Sequence, residues 1–169
     1  MVDERRTELT QLITGQLLRR YSTATVLFHH AVAERLGLGP TDHKCLDLLL
    51  ERGPLTGSQL AAITGLTTGA ITGVVARLER AGYVQRKPDP DDGRKQLLIP
   101  APERLAEVAE IFASALPRPD SVLDGFDTDQ LAVIAEFLTR AADYSRDRAA
   151  TLRAEVLSAG GRTPRASTT

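Results

Sequence analysis

The chain has 169 residues, of which 42% are hydrophobic and 25% charged, and its formal net charge is −1 at pH 7. These fractions are typical of a globular protein. No apolar run approaches the roughly 20 residues that a membrane-spanning helix needs. The N-terminus lacks the apolar core of a signal peptide and the single cysteine excludes an internal disulfide, so we expect a cytoplasmic protein with no membrane partner.

The N-terminal part of the chain predicts two helices. Over residues 7–36 apolar side chains recur at intervals of three and four, which predicts one long amphipathic helix. The helix ends before Pro40, and Thr41 is the predicted cap of a second helix that stops at Gly53.

The next two helices have unusually complete start and stop signals. Thr56 and Gln59 have the spacing of a capping box, and Gly65 is placed to end the first helix in a left-handed cap. Thr67 then caps the second helix. A connection of only about three residues forces the two helices to cross steeply, which predicts a helix-turn-helix.

The helix after Thr67 has two contrasting faces. Its apolar residues follow the i, i+3, i+4, i+7 pattern of a buried face: Ile71, Val74, Val75 and Leu78. The opposite face is small and basic: Gly69, Gly73, Ala76, Arg77 and Arg80. Glycine inside a helix costs about 1 kcal/mol relative to alanine, so we expect this face to approach another surface closely. Sequence drift is the alternative.

A charged hairpin follows this helix. Gly82 ends the helix, and Tyr83–Lys87 and Lys95–Ile99 predict two strands joined by a turn with Asp92-Gly93 at its tip. Residues 66–99 contain six Lys/Arg and four Asp/Glu. Such a hairpin suits a wing that reaches a phosphate backbone, and a solvated surface hairpin is the alternative.

Two further helices are predicted toward the C-terminus. Pro102 is placed to start the first, and Pro117 and Pro119 must break or kink it. Asp127 is the predicted cap of the last helix. The tail from Ser158 is rich in Gly, Ser, Thr and Pro, which predicts disorder.

Together the elements predict a mainly α fold with a small β-wing, a winged helix-turn-helix with long N- and C-terminal dimerisation helices. The predicted domains are an N-terminal dimerisation helix at 1–40, a DNA-binding lobe at 41–100, C-terminal dimerisation helices at 101–157 and a disordered tail at 158–169. A helix of about 28 residues spans roughly 42 Å, which is too long for a compact monomer. We therefore expect a homodimer, whose symmetry suits an inverted-repeat operator in double-stranded DNA.

Three segments resemble the MarR family of bacterial regulators: Leu60–Thr68, Val75–Val84 and Asp89–Arg94. The order of elements is similar over about residues 7–157. The resemblance implies a homodimer held by its terminal helices that binds a palindromic operator, usually as a repressor. It also implies that the recognition helix enters the major groove while a wing arginine enters the flanking minor groove.

The resemblance assigns expected roles to individual residues. By motif position Arg94 is the wing arginine and Asp92 orients it, while Arg77 and Arg86 serve phosphate contacts or ion pairs that brace the wing. Many members of the family have an arginine at the position of Gly73. Specificity here therefore leans on threonine hydroxyls, backbone proximity and DNA shape, or on Arg77 and Arg80. The expected DNA-binding residues are Thr67, Thr68, Gly69, Ala70, Thr72, Gly73, Arg77, Arg80, Arg86, Asp92, Arg94 and Lys95.

The resemblance also implies a site for a small aromatic or anionic effector, between the dimer helices and the DNA-binding lobes. The residues expected to line it are Phe28, His29, Val32, His43, Cys45, Leu46 and Phe112. A protonated His43 would attract a carboxylate. Simple packing of these side chains is the alternative.

The sequence has no catalytic constellation, because it lacks a Gly-rich phosphate loop, a Gly-x-Ser-x-Gly motif and a metal-type Cys/His cluster. We expect no enzyme activity, no cofactor and no metal. His29 and His30 point about 100° apart on a helix and cannot easily chelate one ion together. A zinc site built from histidines and acids is the lesser alternative.

Two alternatives to an effector-released DNA-binding repressor remain open. One is a winged-helix module that docks a protein, which would lack the steep salt dependence of phosphate contacts. The other is a thiol-based redox-sensing regulator that acts through Cys45, although a free cysteine is commonly just a small buried hydrophobe.

Overall fold

The structure is a computed structural model that describes residues 2–115 and 122–160. The chain divides into two compact units, Met1–Ala115 and Leu116–Thr169. The elements of the first unit are α1 (Val2–Gln11), a π-helical segment (Leu12–Leu17), α2 (Leu18–Arg35), α3 (Pro40–Arg52), β1 (Leu55–Thr56), α4 (Gly57–Thr64), α5 (Thr68–Arg80), β2 (Val84–Pro88), β3 (Gln96–Pro100) and α6 (Pro102–Ala115). The second unit contains α7 (Thr128–Gly160). The predicted fold class is confirmed.

The predicted N-terminal helix is longer than the sequence pattern indicated. It begins at Val2 rather than at residue 7, and a π-helical segment joins α1 to α2. The backbone is right-handed helical at both ends of that segment, at Gln11 and Leu18, so the helical rod is continuous.

The predicted start of α3 is wrong by two residues. The helix begins at Pro40, with Gly39 as its N-cap, and Thr41 lies inside the first turn. Proline is favoured at the first helical position because its φ is already helical. The N–H group that proline lacks would have no acceptor within the helix at this position. The predicted end at Gly53 is confirmed, since this residue has a φ of +81°.

The helix-turn-helix forms as its capping signals predict. The Thr56 hydroxyl accepts a hydrogen bond from the Gln59 N–H at 3.2 Å, and the Gln59 side chain accepts one from the Thr56 N–H at 2.7 Å. Gly65 adopts the left-handed conformation with φ +73°, and α5 follows Thr67. The two helices bend by 115°, within the range of helix-turn-helix motifs. Among the described residues, no single helix is long and apolar enough to span a membrane. Taken together, α4 and α5 reach that length and apolar composition, but only as a bent pair.

The sheet is antiparallel, in the order β1-β3-β2. Its hairpin strands start and end one residue later than predicted, and the short β1, which pairs Leu55 with Leu98, was not predicted. In the connecting turn the Lys95 N–H donates to the Asp92 carbonyl at 2.8 Å. The centre of this turn is Gly93-Arg94 and not the predicted Asp92-Gly93, so Arg94 lies at the wing tip.

The core of the first unit is formed mainly by α3, α5 and the sheet, with side chains of α2 and α6. The predicted inner face of α5 is confirmed, because its four apolar residues are buried. Tyr83 connects several elements: its hydroxyl donates to the Leu36 carbonyl at 3.2 Å and accepts from Arg104 at 3.1 Å. The Arg104 guanidinium also lies 4.6 Å from the Tyr83 ring centroid.

The structure describes only some of the residues to which the C-terminal predictions apply. Pro117 and Pro119 lie outside the described residues. The predicted cap of α7 is confirmed, since the Asp127 carboxylate accepts a hydrogen bond from the Gln130 N–H at 2.9 Å. The helix continues to Gly160, which is beyond the predicted start of the tail at Ser158, and residues 161–169 are outside the described part.

Candidate nucleic-acid interface

The exposed start of α5 is lined by short side chains. Thr67, Thr68, Gly69, Ala70 and Thr72 are all exposed. The Thr67 hydroxyl accepts a hydrogen bond from the Ala70 N–H at 3.2 Å, and the Thr72 hydroxyl donates to the Thr68 carbonyl at 2.9 Å. Small side chains allow another surface to reach the helix backbone closely.

The two glycines of this face differ in their surroundings. A Cβ at Gly69 would meet no atom within 4 Å, so this position is open. A Cβ at Gly73 would lie 3.3 Å from Nη1 of Arg77, closer than ordinary van der Waals contact. The absence of a side chain at Gly73 therefore leaves space for the Arg77 guanidinium, in addition to keeping this face of the helix small.

Arg77 connects α5 to α3. Its Nε and Nη2 donate to the two carboxylate oxygens of Asp42 in a bidentate pair. The Asp42 side chain is 6% exposed, whereas that of Arg77 is 53% exposed. The expectation that Arg77 braces the wing is thus corrected, because its partner lies on α3.

A second ion pair connects the wing to α5. Nε of Arg86 on β2 donates to Glu79 at 2.9 Å, which agrees with the wing-bracing interaction expected for Arg86. Arg80 is exposed on the last turn of α5. The pair holds the base of the hairpin against the recognition helix.

The wing tip carries a cation directed into solvent. The Arg94 side chain is 93% exposed, and its Nε donates to Asp92 Oδ1 at 3.2 Å. This hydrogen bond lowers the pKa of Asp92, so its carboxylate stays ionised at neutral pH. Lys95 lies 3.4 Å from the other Asp92 oxygen. Asp92 thus contacts both basic side chains of the tip.

Helix and wing enclose one concave surface. A cleft of about 590 Å³ is lined by Thr68 and Thr72 from α5 and by Arg94 and Lys95 from the wing. Hydroxyl groups and cations therefore face one space, an arrangement that suits a polyanion.

The residues expected to line an effector site separate into two groups. Val32, Cys45 and Leu46 are buried in the hydrophobic core, so for them the packing alternative holds. The rings of Phe28, His29, His43 and Phe112 form a contiguous cluster with neighbouring centroids 5.3–6.4 Å apart.

A cavity of about 310 Å³ adjoins this ring cluster. Its lining includes His29, His30, His43 and Lys44. Burial lowers the pKa of His43, which also lies near His29 and Lys44, so its neutral form dominates at pH 7. The expected attraction of a carboxylate by a protonated His43 is therefore weak, and Lys44 supplies the positive charge at this cavity.

Cys45 does not have the environment of a reactive thiol. It is buried, and burial together with the nearby Asp42 carboxylate raises its pKa to about 11. The thiolate is the reactive form, so the protonated side chain is inert at neutral pH. This finding counts against the redox-sensing alternative.

Both long helices expose large apolar side chains. On the N-terminal rod these are Leu9, Leu12, Leu17, Tyr21, Val26 and Leu27. On α7 they are Val133, Phe137, Leu138, Tyr144, Leu152 and Val156. Large apolar side chains exposed in such numbers along one helix indicate an interaction surface.

Sequence reasoning missed three acidic partners. Asp42 holds Arg77, Glu79 holds Arg86, and Asp47 contacts Lys44 at 3.0 Å and His29 at 3.8 Å. The helical spacing of Lys44 and Asp47 was a usable signal. Asp42 and Arg77 are separated by 35 residues and left no local signal.

Comparisons with known proteins agree with this geometry. A family model described as the MarR family matches residues 36–95. The uncharacterized HTH-type transcriptional regulator YcgE of Bacillus subtilis (strain 168) is 41% identical over 135 residues, which are 78% of this chain and 86% of that protein.

Solved structures show the same fold. A MarR family protein from Bacillus stearothermophilus matches with a TM-score of 0.59 at 22% identity, over 86% of this chain and 98% of that one. Bordetella bronchiseptica BpsR, whose DNA binding is regulated by 6-hydroxynicotinic acid, matches with a TM-score of 0.51 at 24% identity, over 77% of this chain and 93% of its own.

Proposed function

The chain belongs to the MarR family of DNA-binding transcriptional regulators, and from this premise we propose that it is a homodimeric repressor of an inverted-repeat operator, released by a small-molecule effector. The observation that carries the proposal is the cleft shared by the start of α5 and the wing tip. There Thr68 and Thr72 stand opposite Arg94 and Lys95 across one concave surface.

In the proposed complex, α5 enters the major groove by its N-terminal end. Thr68 and Thr72 offer hydroxyls to base edges or phosphates, while Gly69 and Ala70 let the backbone approach. Gly73 carries no base-reading side chain, so DNA shape contributes to specificity. Arg94 reaches the flanking minor groove.

The exposed apolar faces of the N-terminal rod and of α7 support the homodimer. A C2 dimer buries such faces against a second copy and presents two recognition helices to half-sites one helical turn apart. Sedimentation equilibrium of the full chain should give twice the mass of one chain. Deleting residues 145–169 should give monomers with the far-UV spectrum of a folded helical protein, and a stable dimer of that truncation would contradict the assembly.

The effector is proposed to bind in the cavity beside the ring cluster. The imidazole rings of His29 and His43 line this cavity and suit an aromatic ligand, and Lys44 supplies positive charge for an anionic group. The regulation of BpsR by 6-hydroxynicotinic acid supports this ligand class. Release follows if the ligand favours a dimer whose recognition helices are wrongly spaced for adjacent major grooves.

Footprinting and transcription in vitro test the proposal. Purified protein should protect an inverted repeat on genomic fragments upstream of its own gene, with half-sites about 10 bp apart, and should lower transcription from that promoter. Failure to protect any fragment would contradict sequence-specific binding. Protection with increased transcription would contradict the repressor role.

A further inference from the structure

Two histidines and one carboxylate converge between α2 and α3. His43 and Asp47 are four residues apart on α3, so they lie on the same face of that helix. His29 on α2 faces them, and one ligand atom from each residue lies within 4.8 Å of the others. The sequence analysis expected no metal site and kept a zinc site of histidines and acids as the lesser alternative, and the structure brings together the residues for that alternative.

We propose that His29, His43 and Asp47 bind one divalent transition-metal ion of the zinc class, and that this ion is an effector of the DNA-binding surface. The second half of the statement rests on the proposed function, whereas the metal site itself does not.

The donor set fits zinc. Imidazole nitrogens and a carboxylate oxygen bind Zn²⁺ at about 2.0–2.2 Å, and three protein ligands leave one tetrahedral position open for water or an anion. Ligand atoms around such an ion lie about 3.4 Å apart, so binding draws the present cluster, whose ligand atoms lie within 4.8 Å of one another, together by at most about 1.4 Å. The open position is also one that the carboxylate of an anionic effector can occupy.

His29 is oriented for coordination. Within the described part of the chain, its Nδ1 is buried with no hydrogen-bond partner, and it faces Asp47 Oδ2 at 3.8 Å. A buried polar atom without a partner is costly, and a metal ion at this position would satisfy it. The geometry is that of two ligands separated by the space for an ion.

The protonation states also favour binding. Burial lowers the pKa of both His29 and His43, so each imidazole is neutral at pH 7. Neutral imidazole is the form that ligates, and proton competition is weak when its pKa is low. The Lys44 ammonium, 3.0 Å from Asp47, is the competing cation, but its side chain is well exposed and can turn into solvent.

Access to the site comes from the neighbouring cavity of about 310 Å³, whose lining includes both His29 and His43. A hydrated ion can enter by this route without opening of the core.

The site is connected to the recognition helix through α3. His43 directly follows Asp42, whose carboxylate holds Arg77 of α5. An ion that ties α2 to His43 and Asp47 fixes the position of α3 and, through Asp42, acts on the helix that meets DNA. This is the physical route for coupling, and it requires that ion binding move α3.

Zinc and cobalt titrations of the full chain test the site. After dialysis against EDTA, wild-type protein should bind one Zn²⁺ per chain, and one Co²⁺ should give the visible absorption of a four-coordinate ion. His29→Gln and Asp47→Asn should each weaken Zn²⁺ binding more than about tenfold. The matched control is His30→Gln, an exposed neighbouring histidine outside the cluster, which should bind zinc as the wild type does.

Two results would overturn the site. One is absence of stoichiometric zinc or cobalt binding by the wild type. The other is equal zinc affinity of His29→Gln and His30→Gln, which would show that the rings only pack together. Unfolding midpoints of the metal-free variants establish whether each variant is folded. If Asp47→Asn does not fold, the comparison of zinc affinity between His29→Gln and His30→Gln alone decides whether the site exists.

Operator binding by the same samples tests the effector role. Zn²⁺ should change the DNA affinity of the wild type about fivefold or more and leave that of His29→Gln unchanged. Zinc binding without a change in DNA affinity would overturn the effector role while the proposed repressor stands. Failure of both metal-free and zinc-loaded protein to bind DNA would contradict the proposed function and the effector role. The existence of the metal site would still be decided by the number of zinc or cobalt ions bound per chain.

Discussion

The guanidinium of Arg77 donates two hydrogen bonds to the buried carboxylate of Asp42, from Nε at 2.8 Å and from Nη2 at 2.7 Å. The pair joins the recognition helix to α3 across 35 residues of sequence. The Arg77 side chain remains partly exposed on α5, and its positive charge is paired with the Asp42 carboxylate. Arg77 therefore holds α5 against α3 in the protein without DNA.

Replacing Arg77 by methionine should destabilise the fold. The Asp42 carboxylate would remain buried without its partner, so the free energy of unfolding should fall clearly, although by less than for a fully buried pair because Arg77 is half exposed. Urea unfolding measures the loss. Arg80→Met, an exposed arginine on the same helix, is the control and should stay within about 0.5 kcal/mol. Equal losses in the two variants would show that the pair contributes nothing.

Substitution of Gly73 should test whether the small face of α5 meets DNA. Gly73→Glu places an anion and a long side chain on that face, so operator binding should be abolished by repulsion from phosphate and by steric block. Gly73→Gln is the matched control, since it has the same size without the charge and its Cβ has the same contact with Arg77. Gel shifts should show weak binding for glutamine and none for glutamate, and normal binding by the glutamate variant would remove this face from the interface.

Arg94→Ala should weaken operator binding about tenfold and reduce the salt slope of binding by about one contact. The side chain is almost fully exposed and its pair with Asp92 is a surface pair, so the unfolding free energy should hardly change. Fluorescence anisotropy at several salt concentrations measures both quantities. Arg20→Ala, an exposed arginine of α2, is the control with unchanged affinity, and full affinity in the Arg94 variant would refute the wing assignment.

Cys45 should be unreactive in the folded protein. With its pKa raised to about 11, the thiol remains protonated at pH 8, and burial blocks access. A chromogenic disulfide reagent should label it only after unfolding in urea, and peroxide should leave DNA binding unchanged. Rapid labelling of the native protein would restore the redox-sensing alternative.

The helix-turn-helix could be predicted because its signals are local. Thr56 with Gln59, Gly65 and Thr67 each act within a few residues, so their identity and spacing carry the information. At the start of α3 two local signals competed, and Pro40 prevailed over Thr41 because a proline fits the first helical position without needing a hydrogen bond.

Other features depend on residues that are distant in sequence. The two-residue strand at Leu55 is too short to show alternation and exists because Leu98 of β3 lies beside it. The partners of Arg77 and His29 depend on how α2, α3 and α5 pack, which periodicity alone does not determine. The wing arginine was predicted through a motif, yet its place at the tip required the hydrogen bond from Lys95 to Asp92.

The central claim is that the cleft between α5 and the wing binds duplex DNA through several phosphate contacts. The most direct test is the Kd for a labelled inverted-repeat fragment, measured by anisotropy between 50 and 200 mM salt. The account predicts tight binding at low salt and a fall in affinity of at least about a hundredfold across this range. An affinity that stays flat with salt, or no binding to any double-stranded fragment at 50 mM, would contradict it.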